Sequence, residues 1–235
     1  MAPPMYTPKP TPSASTQRYT MPVAPTVTTM PCYSRVVIIR QIPKNAKLAD
    51  LTRGIRGGAL EGISLSPPSS SSDLLAAIVV FCSSVGAGAF GKYCNKSGGT
   101  IILGKKCPAK LECTCEGKGG CPAPPSLDYK GKTRVIRIES FPDNISREAL
   151  RNDLRTNALG MVIRSASVDK ILLPGDNAVI SFSSIHHAGD TITHLKRYAK
   201  PIYKTFRITY YQDECSRPME ELSTAAKEFS GIGGG

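Results

Sequence analysis

Two stretches decide the fold, Arg35-Val-Val-Ile-Ile-Arg-Gln-Ile-Pro43 and Arg134-Val-Ile-Arg-Ile-Glu-Ser-Phe-Pro142, because each opens the same order of pieces. An apolar strand ending in Ile-Pro or Phe-Pro leads into an amphipathic helix, a second strand, and a long apolar strand that ends in Phe. A repeat of roughly 100 residues is too long for a solenoid unit and suits one small domain, so two duplicated modules with separate cores are expected. Their limits read as 32–115 and 132–215. They stand behind a disordered Pro/Thr/Ser-rich arm, 1–31, and are joined by a Gly/Pro linker, 116–131, with a flexible tail at 216–235. That composition predicts modules tethered flexibly.

In the first module Pro43 stops the opening strand because it has no N–H for the ladder. Asn45 reads as the cap of a helix carrying Leu48, Leu51 and Ile55, closed by Gly57 and Gly58. Ile63 and Leu65 mark a second strand and Leu74–Cys82 a third. A glycine-weakened helix follows around Ala87, Phe90 and Cys94, then an extra strand at Ile101–Leu103 and a last one at Lys110–Cys115. The second module repeats this. Ser146 caps a helix with a staple between Ile145 and Leu150. Strands are expected at Val162–Ile171, Asn177–Phe182 and Thr205–Tyr211, with a second helix lined by Ala188, Ile192 and Leu195. The order βαββαβ predicts an α+β, ferredoxin-like fold, with a four-stranded antiparallel sheet and two helices on one face of each module.

The chain carries a net charge of +12 with a pI near 9.4, which makes nucleic acid or an acidic surface the leading partner class. Residues 32–111 hold 11 Lys/Arg against 3 Asp/Glu, and residues 132–215 hold 13 against 9, so most of the positive field belongs to the first module. No apolar run reaches the length of a membrane span, and the N-terminus lacks the charged and apolar regions of a signal peptide. Eight prolines in the arm oppose the amphipathic helix of a mitochondrial leader. Cytoplasm or nucleus is therefore expected in preference to mitochondria.

With its first strand ending in a branched or aromatic residue plus Pro and its third in Phe, each module resembles the RNA recognition motif (RRM) family, in tandem and over about 180 residues. The resemblance implies stacking of nucleobases on outward aromatics of the two central strands, each stack worth about 1 to 3 kcal/mol. At those positions the first module has Ile38, Ala76 and Ile78, and the second has Arg137, Asn177 and Val179. None is aromatic. The resemblance thus implies a non-catalytic protein whose single-stranded RNA binding is mainly electrostatic and weakly sequence-selective.

Arg137 can stack a base through its planar guanidinium or meet a phosphate. If Phe206 and Ile208 face the core, then Arg207, Thr209 and Tyr211 face outward beside Arg137 and Asn177, with Arg40 as a further contact. Tyr211 reads equally as a half-exposed strand tyrosine. Ile38, Ala76 and Ile78 instead form an apolar sheet face, which on a soluble protein meets another surface. The rival reading is therefore a protein-protein adaptor that has lost RNA affinity.

Cys107, Cys113, Cys115 and Cys121 lack the short knuckle spacing of zinc ligands and read as strand thiols. His186, His187 and His194 read as a polar helix face. No nucleophile elbow, phosphate loop or metalloprotease motif occurs, so no enzyme activity, cofactor or metal is expected.

Overall fold

Alternating burial along β-branched runs organises both halves of the chain. The computed structural model describes residues 34–66, 74–112, 130–155, 168–197 and 200–222. In the first half β1 (Val36–Ile42), α1 (Leu48–Arg53), β2 (Leu60–Ser66), β3 (Leu75–Phe81) and α2 (Ser84–Ser97) are followed by β4 (Thr100–Ile102), β5 (Lys105–Cys107) and β6 (Ala109–Leu111). The second half runs β7 (Val135–Ile138), α3 (Arg147–Arg155), β8 (Val168–Leu172), β9 (Ala178–Phe182), α4 (Ile185–Arg197), α5 (Pro201–Thr205) and β10 (Ile208–Tyr210). The two sheets have the orders β2-β3-β1-β6 and β8-β9-β7-β10, antiparallel throughout. This is the expected α+β, RRM-like arrangement, built twice. In each sheet the inward residues, such as Val37, Ile39 and Val79 or Ile136, Ile138 and Ile180, are buried in one cluster with helix side chains such as Leu51 and Phe90 or Leu150 and Leu195. Among the described residues no helix is long and apolar enough to cross a membrane.

The duplication extends to a buried frame. Arg35 and Arg134, at the heads of β1 and β7, each donate to the carbonyl of the Phe that ends the neighbouring strand, Phe81 or Phe182, at 2.9 Å. Each also pairs with a carboxylate at a bulge of the edge strand, Glu61 between Leu60 and Gly62 or Asp169 between Val168 and Lys170. The far ends of β1 and β7 match too. Gln41 (φ 59°) and Ser140 (φ 56°) both sit in the left-handed region immediately before the residue that precedes proline.

Several boundaries differ from the sequence reading. Asn45 is spent in the turn closed by Ala46 N–H on the Pro43 carbonyl, so α1 starts at Leu48, where the Lys47 N–H donates to the Asp50 carboxylate at 2.9 Å. The helix ends at Gly54, not at Gly57, and position 54 requires glycine because a Cβ there would lie 2.8 Å from the Ile101 carbonyl of the β4–β5 hairpin. Ile55 still reaches the core. The extra strand is one arm of that hairpin, with Leu103 in its turn at φ 49°. The last strand of the first module is Ala109–Leu111, and Cys113 and Cys115 lie outside the described residues. In the second module the described part of the expected Val162–Ile171 strand is β8, Val168–Leu172, and residues 156–167 lie outside the described residues. The Ser146 cap is present, its hydroxyl accepting from Ala149 N at 3.1 Å. The short α5 was not expected. Pro201 starts it, and buried Tyr203 fixes it to α3 by donating to Asp153 at 2.8 Å.

The two modules are docked, which corrects the expectation of a flexible tether. Edge strand β2 meets the end of β9: Ile63 N–H donates to the Ser183 carbonyl at 2.8 Å, and Gly62 bridges Ser184. After β10 the chain crosses back to the first module, where Gly57 and Gly58 donate to the Arg217 and Cys215 carbonyls at 3.0 and 3.1 Å. Cys215, Met219 and Leu222 pack against the first core, so the expected tail is folded as far as Leu222. Linker composition speaks only for the linker. The docking is carried by apolar and charged groups elsewhere in the chain.

Candidate nucleic-acid interface

Because strand residues alternate, the same registers that bury one face define the other. On the second sheet, Thr209 pairs Arg137, Arg137 pairs Val179 and Val179 pairs Leu172, which makes a row across all four strands. Arg137 sits at the middle of this row, half-buried, where the family's resemblance places a stacking ring. Its Nε donates to Asn177 Oδ1 at 3.0 Å, while Asn177 donates in turn to Asp176 at 2.7 Å. Its guanidinium carbon lies 5.7 Å from the centroid of the Tyr211 ring. Arg137 is thereby oriented before any ligand arrives.

Tyr211 is 44% exposed, and its backbone is held by Val135 and Thr133. Arg207 flanks the row at the other end, with a side chain 76% exposed and 3.7 Å from Glu139. Such an exposed ion pair contributes at most about 1 kcal/mol, so Arg207 can be redirected to another anion. Phe206 and Ile208 pack in the core, and Arg207, Thr209 and Tyr211 alternate with them outward. The structure therefore brings Arg137, Asn177, Thr209 and Tyr211 together, with Arg207 at their edge.

Arg40 is on the other module and is not part of this constellation. It is exposed beyond the outward row Ser64, Ile78, Ile38 and Lys110 of the first sheet. There Ile38 pairs Ile78 and Val36 pairs Val80, with half-buried Ala76 next along β3. The two faces share one scaffold and differ in chemistry.

No family model matches the chain, and no curated protein does. Among solved structures the chain is similar to RRM domains 1 and 2 of Prp24 from S. cerevisiae, at 14% identity and a TM-score of 0.31, over 79% of this chain and 97% of that one. It is similar to the first two RRM domains of yeast Poly(U) Binding Protein (Pub1), at 13% and 0.28, over 76% and 99%. Sex-lethal RNA recognition domains 1 and 2 from Drosophila melanogaster give 14% and 0.26, over 76% and 100%. Likeness at this level carries no functional argument, and the fold rests on the strand orders above.

The strongest electrostatic feature is one that sequence reasoning missed. Arg134 is fully buried, and its Nε and second terminal nitrogen both reach Asp213 at 2.9 Å, with Asp169 at 3.2 Å. Burial alone would lower the Arg134 pKa, but Asp213 and its neighbours outweigh it and hold the cation firmly charged. Burial raises the Asp169 carboxyl more than Arg134 lowers it. Asp213 also accepts from Leu60 N–H of the first module at 3.4 Å, so this node is structural and joins the modules. The repeated Arg at the head of both strands was the available signal.

Cys107 is buried with its thiol toward the Gln41 carbonyl, while Cys113, Cys115 and Cys121 lie outside the described residues. Among the described residues no group of three or more His, Cys, Asp or Glu could hold a metal. His187 contacts both Ser183 and Ser184 hydroxyls at 2.9 Å, His186 meets Asp190 at 3.3 Å, and His194 is buried. That last burial departs from the expected polar helix face: α4 turns His194 toward the interior beside Leu195.

Proposed function

We propose that this is a non-catalytic RNA-binding protein whose second module holds single-stranded RNA on its outer sheet face, mainly by charge and with weak sequence preference. The observation that carries the reading is Arg137 at the centre of that face, held by Asn177 and lying against Tyr211. A planar cation in that position offers a phosphate two donors or a base one flat surface, and both contacts tolerate any sequence. Arg207 and Thr209 extend the polar face, and Tyr211 supplies one exposed ring. Arg40 offers a further cation on the first module. The net charge of +12 supports a polyanion as the ligand.

Binding to an unstructured RNA over a salt series tests this. Each phosphate neutralised on a single strand adds about 0.7 to the slope of log K against log salt. Replacing Arg137 and Arg207 together by Ala should lower the slope by about 1 to 2 and weaken unrelated sequences alike. Parent-like binding by the double variant would show that this face is not the site.

A specific observation favours a second role for the first module. Ile38, Ala76 and Ile78 lie outward on adjacent strands, with Ile78 40% exposed, and such a face suits contact with a protein.

A further inference from the structure

The second module serves as an internal control for the first. At equivalent registers the first sheet shows Val36, Ile38, Ala76, Ile78 and Val80 outward, where the second has buried Val135 and, outward, Arg137, Asn177, Val179 and Ser181. The same frame of Arg, bulged carboxylate and Phe carbonyl supports both sheets, so the fold itself does not require the first face to be apolar.

Charge around the patch is one-sided. On the β2 flank lie Ser64 and Ser66. On the β6 flank exposed Lys110 is directly opposite Ile38, and exposed Arg40 follows Ile38 by two residues on the same face. Lys105 and Lys106 are exposed on β5, and the next residues, Cys107 and Pro108, bond to Gln41 and Arg40, which ties those lysines to the same corner. Glu112 follows β6 at the opposite end.

From this surface we infer that the first module docks an amphipathic helix of a partner protein, with an apolar stripe for Ile38 and Ile78 and carboxylates along the flank facing Lys110 and Arg40. The inference rests on the second reading above, that this face meets a protein. Size agrees with it. Three outward rows along a strand span about 14 Å, the length of nine or ten helical residues, or between two and three turns. An apolar stripe on one face of such a helix matches the two central strands in width, and acidic residues beside it meet the basic flank.

The test uses two fluorescent helical probes of about 12 residues, with the same Leu stripe and with either Glu or Lys along one flank, titrated against the full chain. The Glu probe should bind at least about tenfold tighter than the Lys probe. Ile38→Arg with Val80→Ser installs the residues that the second module already carries at these positions, and should weaken the Glu probe about tenfold or more. Lys110→Glu, at an exposed position, should shift the preference toward the Lys probe. Equal affinity of the two probes, or unchanged binding by the Ile38→Arg/Val80→Ser chain, would overturn the inference. So would displacement of the Glu probe by single-stranded RNA from a chain carrying Arg137→Ala and Arg207→Ala, since the face would then be a nucleic-acid surface. RNA affinity of the parent is measured in parallel. RNA binding without probe binding removes only this inference, and probe binding without RNA binding removes the RNA reading alone.

Discussion

Arg35 and Arg134 occupy equivalent places and carry different loads. Arg35 pairs with the partly exposed carboxylate of Glu61, whereas Arg134 is enclosed with Asp169 and Asp213, both essentially without solvent. Removing a cation from a closed node leaves unpaired buried charge. Arg134→Met is therefore expected to cost about 3 to 5 kcal/mol, and Arg35→Met nearer 1 to 2 kcal/mol. Urea unfolding of the two variants checks the difference, and equal losses would contradict it. At the proposed RNA face, Arg137→Lys separates geometry from charge: Lys keeps a phosphate contact and lacks the flat fork. If stacking matters, the variant retains its salt slope and loses affinity.

Among the elements, α4 carries two groups that respond to acid. His187 and His194 both have pKa values below 6.5, chiefly through burial, with His186 adding to the effect on His187. The unfolded chain then binds protons more readily, so the stability these groups supply is fully present above pH 6.5 and falls as pH drops through and below it. Thermal melts between pH 7.5 and 5 should show falling stability, and His194→Gln should flatten the slope. Helix and strand identity was largely legible from the sequence, because Ser146, Leu150 and the alternating runs speak locally. The need for glycine at the end of α1 was not, since it comes from the close approach of a hairpin about 50 residues away that no local pattern announces. Arg137, Arg207 and Tyr211 could be placed on one face by counting alternation. The Arg137 contact with Asn177 depends on the pairing register of β7 with β9, which the pattern of either strand alone does not fix.

At the scale of the molecule, the segment after β10 decides whether the modules act as one body. Asp213, Cys215, Met219 and Leu222 join the second module to the first core. Asp213→Asn weakens the node without removing the apolar contacts, and is expected to loosen docking, separating one cooperative unfolding transition into two. A single transition of unchanged width would count against this. The linker's composition suggested independence because flexibility is encoded locally, whereas docking depends on groups about 150 residues apart, as Leu60 and Asp213 are.

The pairing of β2 with Ser183 and Ser184 also governs how the chain behaves in solution. An outer strand with bare N–H and C=O groups is a template for another chain, and here the second module covers part of that template. The first module made alone would present Ile63 N–H without its acceptor, together with the apolar groups that Cys215, Met219 and Leu222 now cover. It is expected to self-associate as its concentration rises, as sedimentation velocity would show, while the full chain stays monomeric. In this molecule the second module thus acts as a built-in guard against aggregation of the first.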